Sequence, residues 1–110
     1  MVNQVNWTGA SGAVYAFELN PLGIPYNRRS GVYIFCRQAA NGNWDGLYVG
    51  ETSDFDDRLN SGLQRHHRWP SVMQHRPTHL CTLHVPGALA ERLRIETDLR
   101  RSLNCPCNRQ

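Results

Sequence analysis

The stretch GVYIFCRQAANGNWDGLYVGE, residues 31–51, decides the fold because it holds two apolar runs on either side of a turn. In the first run Val32 and Ile34 alternate with Tyr33, which is the period of two expected of a strand. The Asn-Gly and Asp-Gly pairs between the runs are typical of hairpin turns. We therefore predict an antiparallel hairpin in which Tyr33 and Tyr48 share a face.

Four further elements are predicted around this hairpin. The acidic segment that follows it offers helix N-caps and predicts a helix over residues 54–64. THLCTLHV, residues 78–85, alternates again and is expected to join the hairpin as a third strand. Residues 87–103 have the pattern of a helix that ends before a proline. Upstream, residues 13–18 predict a short strand before a segment rich in proline and glycine.

Length and composition predict one domain. A chain of 110 residues with 40% apolar content suffices for one modest core. We expect residues 1–30 to form an N-terminal extension packed on a domain of residues 31–110. The apolar runs are too short for a membrane span, and the first residues do not resemble a secretory signal. A cytoplasmic location is therefore expected, with the four cysteines as reduced thiols.

The charged residues favour an anionic partner. The net charge is +3, and all 12 basic residues are arginine, since the chain contains no lysine. Arginine suits forked contacts to phosphate or carboxylate. The absence of lysine excludes mechanisms that need a lysine base or a Schiff base.

The last predicted helix carries a carboxylate on its apolar face. Four leucines fall in one arc of roughly 120° on a helical wheel. They are Leu89, Leu93, Leu99 and Leu103. Glu96 lies inside this arc, and a desolvated carboxylate needs a cation, an arginine partner or a proton. Arg92 and Arg100 are each one turn away and are candidate ion-pair partners for Glu96.

Five segments taken in order resemble the GIY-YIG nuclease family. They are GVY at residues 31–33, YVG at residues 48–50, DDRL with Arg58, IET with Glu96 and LNCPCN with Asn108. Each tripeptide alone would carry little information, but the order and spacing agree over most of the chain. The resemblance implies a small α/β domain of the α+β type, with a central three-stranded antiparallel sheet flanked by helices.

The resemblance also implies an activity, a cofactor and roles for particular residues. The expected activity is that of an endonuclease, a hydrolase that cuts phosphodiester bonds of DNA with Mg²⁺ or Mn²⁺. Glu96 matches the acidic metal ligand, and Arg58 matches the arginine that holds the scissile phosphate. Asn108 matches an asparagine that supports the site by hydrogen bonds, a role for which Asn104 is an alternative. Magnesium is commonly held by one or two carboxylates, with water and substrate oxygens completing its shell.

The proton of the attacking water needs an acceptor. Without lysine, the tyrosines and histidines are the candidates at neutral pH, and a phenol facing a metal and an arginine ionises more easily than its ordinary pKa of about 10 suggests. We favour Tyr33 over Tyr48, with assistance from His66. Two positions depart from the family pattern. Gly62 stands where relatives often carry histidine or tyrosine, and Glu51 stands where some carry lysine.

DNA contacts are predicted for basic and aromatic residues on both sides of the hairpin. They are Arg28, Arg29, Arg65, His67, Arg68 and Trp69. Arginines mixed with an aromatic ring suit a flexible or single-stranded substrate, whose bases can stack. The sequence leaves open the form of the DNA, and whether a homodimer or a targeting partner supplies specificity.

Two other functions compete with the nuclease. The same fold could bind DNA without cutting it, although the residues that carry the resemblance are all present. A zinc-stabilised interaction domain would draw ligands from His79, Cys81, His84, Cys105 and Cys107. In a strand, however, alternate side chains of HLCTLH point to opposite faces, and the Cys-Pro-Cys spacing is short for a zinc knuckle.

Overall fold

The predicted hairpin forms two long antiparallel strands. The computed structural model describes residues 3–22, 29–55 and 69–108. Within it β3 spans Gly31–Gln38 and β4 spans Trp44–Thr52. The two strands stay in register from one end of the hairpin to the other, apart from one irregularity described below.

The turn between β3 and β4 follows from its sequence. Ala39 N donates to Asn43 O at 2.8 Å, and Gly42 N donates to Ala39 O at 2.9 Å. Gly42 has a φ of 87°, a left-handed conformation that glycine adopts without a steric penalty. The Asn-Gly pair therefore acts here as the turn signal that the sequence indicated.

The sheet has five strands, where the sequence predicted three. Their order is β1-β2-β5-β3-β4, and all neighbours are antiparallel. β5, His79–His84, is the predicted third strand and pairs with β3. β1, Gln4–Thr8, and β2, Val14–Pro21, come from the N-terminal extension, and β2 pairs with β5. The extension is thus hydrogen-bonded into the sheet, and β4 lies at one end of it.

Alternation along β3 produces two apolar clusters, one on each face of the sheet. Val32 and Ile34 belong to the first cluster, with Trp7 and Phe17 from the N-terminal strands. The second cluster holds the residues that point the other way. They are Tyr33, Phe35, Leu47, Tyr48, Phe55, Val72, Leu80 and Cys107. The strand predicted over residues 13–18 is confirmed as β2, whereas β1 was not predicted, because QVNWT carries only two apolar residues, yet its Trp7 is buried.

Two α-helices lie in the described part of the chain. α1 spans Trp69–Gln74, within the segment whose structure the sequence did not predict, and its Val72 reaches the second cluster. α2 spans Leu89–Leu103 and confirms the final predicted helix, which begins two residues later than expected. Of the helix predicted over residues 54–64, all but the first two residues lie outside the described ranges. A 3₁₀ turn, Pro106–Asn108, follows α2.

The buried face of α2 differs from the leucine arc. Arg92, Ile95 and Leu99 are buried, whereas Leu89 is 50% exposed and Leu93 is 42% exposed. The three buried residues lie within about 60° on the wheel, to one side of the arc. The arc was wrong at Leu89 and Leu93, whereas Leu99 and Leu103 pack in the first cluster together with Ile95, which the arc left out.

Asp98 of α2 fastens the turn between β1 and β2. Its carboxylate accepts from Ser11 N at 2.8 Å, Ser11 Oγ at 2.7 Å and Tyr15 Oη at 2.8 Å. A methyl group on Gly9 would overlap the same carboxylate and would have to displace it from these contacts. The hydrogen bonds from Ser11 and Tyr15 hold the pKa of the Asp98 carboxyl below its usual value. The N-terminal strands are thereby tied to the helix as well as to the sheet.

All four cysteines are buried free thiols. Cys36 and Cys81 face each other across β3 and β5 with their sulfur atoms 3.8 Å apart. Hydrogen bonding with Cys81, together with burial, raises the pKa of the Cys36 thiol. Among the helices of the described residues, none combines the length and apolar character needed to cross a membrane.

Candidate active site

The two tyrosines of the motifs meet on the second-cluster face. Their ring centroids are 6.2 Å apart, and Tyr33 pairs in register with Gly50 while Phe35 pairs with Tyr48. Leu47 of β4 is an extra residue opposite the junction of Phe35 and Cys36. It forms a β-bulge, which bends the strand locally. The predicted common face of the tyrosines is therefore confirmed.

Gly50 is needed because Tyr33 lies across it. A methyl group at position 50 would lie 2.5 Å from both Cζ and Oη of Tyr33 and 2.9 Å from a ring carbon of Tyr48. Real Cβ atoms do not approach other atoms so closely. The glycine of YVG thus gives the Tyr33 hydroxyl its place over the β4 backbone. Tyr33 is fully buried and Tyr48 is 4% exposed.

Asn108 completes the outer edge of β4. Val49 N donates to Asn108 Oδ1 at 2.8 Å, and Asn108 Nδ2 donates to Val49 O at 3.0 Å. The side-chain amide thereby pairs with the strand as a neighbouring strand would. Because Val49 lies between Tyr48 and Gly50, this contact holds the motif from the side opposite β3.

Glu96 lies beside the same strand end. Its side chain is 14% exposed and stands 3.9 Å from a guanidinium nitrogen of Arg100. Burial raises the pKa of the Glu96 carboxyl, the charge of Arg100 opposes this, and the nearby Glu51 carboxylate adds to it. The backbone of Glu51 also opposes the rise in pKa. Glu96 is therefore a partly desolvated carboxylate, and its predicted ion pair with Arg100 forms at the long separation of 3.9 Å.

Arg100 connects Glu96 with the tyrosines. Its Nε donates to Val49 O at 3.2 Å, and its guanidinium carbon lies 5.7 Å from the Tyr48 ring centroid. α2 packs on the first-cluster face through Ile95, whereas Tyr48 belongs to the second cluster. Arg100 therefore crosses the free edge of β4 from one face of the sheet to the other.

Arg92 has a different partner from the one the sequence suggested. It was a candidate ion-pair partner of Glu96, but its Nε donates to Glu51 Oε2 at 3.0 Å. Both groups of this pair are largely withdrawn from solvent, at 9% and 23% side-chain exposure. Glu51 directly follows the YVG motif, and its partner lies 41 residues away, so no local spacing could have revealed the pair.

Four of the six predicted catalytic residues come together at this edge. They are Tyr33, Tyr48, Glu96 and Asn108. Arg58 and His66 lie outside the described residues. Arg100 and Gly50 were not predicted as site residues, although Gly50 belongs to a quoted motif and Arg100 follows Glu96 by one helical turn.

The predicted DNA surface is described only in small part. Arg28, Arg65, His67 and Arg68 lie outside the described residues. Arg29 is exposed, and its carbonyl oxygen accepts from Phe55 N at 2.9 Å. Trp69 is the first residue of α1.

The candidate zinc ligands do not converge. Cys81 and Cys105 belong to the first cluster, whereas Cys107 belongs to the second, on the other face of the sheet. His84 is exposed and contacts Ser30 O at 3.0 Å. Within the described ranges, no group of three or more histidine, cysteine or acidic side chains could hold a metal ion.

Comparison with known proteins found no match: no protein-family model, curated protein or solved structure matches this chain. The site at the edge of β4 is therefore interpreted from its own geometry and from the motifs.

Proposed function

We propose that this protein is a metal-dependent DNA endonuclease that hydrolyses phosphodiester bonds at the edge of β4. One observation carries the proposal. Tyr33, Tyr48, Glu96 and Asn108 are spread over most of the sequence, and all four lie at the YVG end of β4: the tyrosines pack against each other there, Asn108 binds Val49, and Glu96 is linked to the strand through Arg100. Packing alone gives no reason for an incompletely paired carboxylate and two phenols to gather at a strand edge.

The donor set fits Mg²⁺ or Mn²⁺. Glu96 would hold the ion, because its carboxylate is partly desolvated, its separation from Arg100 is 3.9 Å, and a bound cation would stabilise its charge. A single carboxylate is enough for magnesium, which keeps several waters and takes the remaining oxygens from substrate. When bound, the ion would stabilise negative charge on the phosphate and its leaving oxygen.

The tyrosines would take the proton of the attacking water. Tyr33 Oη is fixed over Gly50 by packing, and Tyr48 lies beneath the positive charge of Arg100, which stabilises a phenolate. Water attack also needs charge stabilisation on the phosphoryl oxygens, which the resemblance assigns to Arg58. Asn108 touches no reacting atom and acts by holding the strand that carries Tyr48.

A cleavage assay with a matched pair of variants tests the proposal. Single-stranded, double-stranded and branched DNA are incubated with Mg²⁺ or Mn²⁺ and wild type, Glu96→Gln or Glu91→Gln. Glu91 is the control because it lies on the same helix and pairs only with Arg94, at 2.6 Å and 3.1 Å, among the described residues. We expect metal-dependent cutting that falls by about 10²-fold or more in Glu96→Gln and is unchanged in Glu91→Gln. Wild type that cuts none of these substrates would reject the endonuclease.

A DNA-binding module without activity is the second candidate. The burial of both tyrosines favours it, because a general base must reach the water from which it takes the proton. The same assay separates the two functions when DNA binding is measured alongside. Binding without cleavage by any metal would favour the module, and Glu96 would then be a structural carboxylate.

A further inference from the structure

Arg100 differs from Arg92 and Arg94 of α2 in how its charge is used. Arg92 is bound to Glu51 at 3.0 Å with 9% side-chain exposure, and Arg94 makes two hydrogen bonds to Glu91. The Arg100 side chain is 40% exposed, and among the described residues its nearest carboxylate oxygen, on Glu96, is 3.9 Å away. That separation is longer than a hydrogen bond. Among the described residues, the terminal nitrogens of Arg100 therefore keep their donors available.

The orientation of this guanidinium is nevertheless fixed. Its Nε donates to Val49 O at 3.2 Å, and its guanidinium carbon lies 5.7 Å from the centroid of the Tyr48 ring. Asn108 binds the same carbonyl at 3.0 Å, so the anchor itself is held in place. An arginine whose Nε is bound presents its terminal nitrogens without further ordering, and such a fork matches the oxygens of a phosphate.

We propose that Arg100 binds a nonbridging oxygen of the DNA phosphate at this site, in addition to the arginine contact that the resemblance assigns to Arg58. The inference rests on the proposed function, since the phosphate would be the one that is cut. The place suits the role because Arg100 stands between Glu96, which would hold the metal, and Tyr48, which would face the water. A cation there lies where negative charge develops during hydrolysis.

A binding measurement tests the contact without relying on cleavage. The affinity of a short fluorescent DNA is measured with chelator over a series of salt concentrations, for wild type, Arg100→Gln and Arg101→Gln. Arg101 is a matched control because it is exposed on the same helix and lines a different groove, with Ser11 and Asp98. We expect Arg100→Gln to weaken binding about tenfold at low salt and to reduce the salt slope by about one. Equal effects of the two substitutions would overturn the inference.

Cleavage of phosphorothioate DNA tests whether the contact acts on the reacting phosphate. Wild type should cut one of the two sulfur diastereomers more slowly, and this preference should disappear in Arg100→Gln together with a loss of about 10²-fold in rate. Arg100→Lys, which keeps the charge and loses the fork, should recover part of the binding and none of the stereochemical preference. This conservative variant covers the case in which Arg100→Gln fails to fold.

The outcomes separate the inference from the proposed function. If wild type cuts DNA and Arg100→Gln retains the stereochemical preference, the endonuclease stands and the role of Arg100 is wrong. If wild type does not cut DNA but Arg100→Gln loses affinity and salt slope relative to Arg101→Gln, the phosphate contact stands and the endonuclease is wrong.

Discussion

Removal of the Asn108 side chain should loosen the edge of β4. Asn108→Ala deletes two hydrogen bonds to Val49, of 2.8 Å and 3.0 Å. Val49 is fully buried, so its N–H would lose its partner in a place where water replaces it poorly. At about 1 kcal/mol for each net hydrogen bond, the free energy of unfolding should fall by about 2 kcal/mol. For a domain of this size, that corresponds to a Tm lower by about 8 °C.

Urea denaturation and hydrogen exchange at single amides measure this effect. The midpoint should fall with an unchanged m-value, and the Val49 amide should exchange faster than its neighbours in β3. Asn104→Gly is the matched control, since it removes the same amide side chain a short distance away. Asn104 has a φ of 51°, a left-handed conformation that glycine adopts freely, so this control should not lose stability.

A DNA cleavage rate measured on the same variants links the edge to function. Asn108→Ala should cut more slowly than Asn104→Gly, because Val49 lies between Tyr48 and Gly50, and the ring of Tyr33 lies across Gly50. An Asn108→Ala protein that unfolds at the wild-type midpoint and keeps its Val49 amide protected would refute the reasoning.

Three further perturbations follow from the contacts and charges. Gly50→Ala should cost about 1–3 kcal/mol in urea denaturation, because the new methyl group would meet the ring of Tyr33 at 2.5 Å, and wild-type stability would show that the ring can move away. The raised pKa of Glu96 means that its ionised form costs stability near neutral pH, so Glu96→Gln should raise the Tm at pH 7 in chelator. This gain should shrink as the pH falls through the ordinary glutamate range, and a lower Tm at pH 7 would contradict the reasoning. Asp98 has a lowered pKa, so its contribution to stability is present above the ordinary aspartate range and is lost as the pH falls through the pKa of the folded protein. Asp98→Ala should therefore lower the Tm at pH 7 more than at pH 2. Equal losses would mean that the hydrogen bonds of Asp98 with Ser11 do not depend on charge.

The sequence predicted the centre of the sheet better than its margins. The hairpin and β5 were predictable because apolar and polar residues alternate there and because Asn-Gly marks the turn. β1 was missed, since burial of its Trp7 depends on α2 and the opposite strands and not on a local pattern. The buried face of α2 is rotated relative to the leucine arc that was predicted to be buried. Periodicity gives the width of an apolar stripe more reliably than the direction in which it faces the sheet.

The candidate site was predictable as a set of residue types and not as a set of contacts. The motifs placed Tyr33, Tyr48, Glu96 and Asn108 in one group, and these residues lie around one strand end. The helical spacing indicated Arg100 as a partner of Glu96 but gave no sign of its hydrogen bond to Val49, 51 residues away. Pairing over such distances is set by the tertiary fold.

The edge position of β4 explains why stability and site formation are coupled here. The last strand of a sheet leaves backbone N–H and C=O groups without a neighbouring strand. At Val49 both groups are bound by Asn108, and the carbonyl also accepts from Arg100. The contacts that cover the edge are thus the contacts that set Arg100 beside Glu96. Stability and cleavage should therefore both fall when Asn108 is changed. When Glu96 is changed to Gln, cleavage should fall while stability rises, because the ionised carboxylate that the proposed reaction uses destabilises the fold.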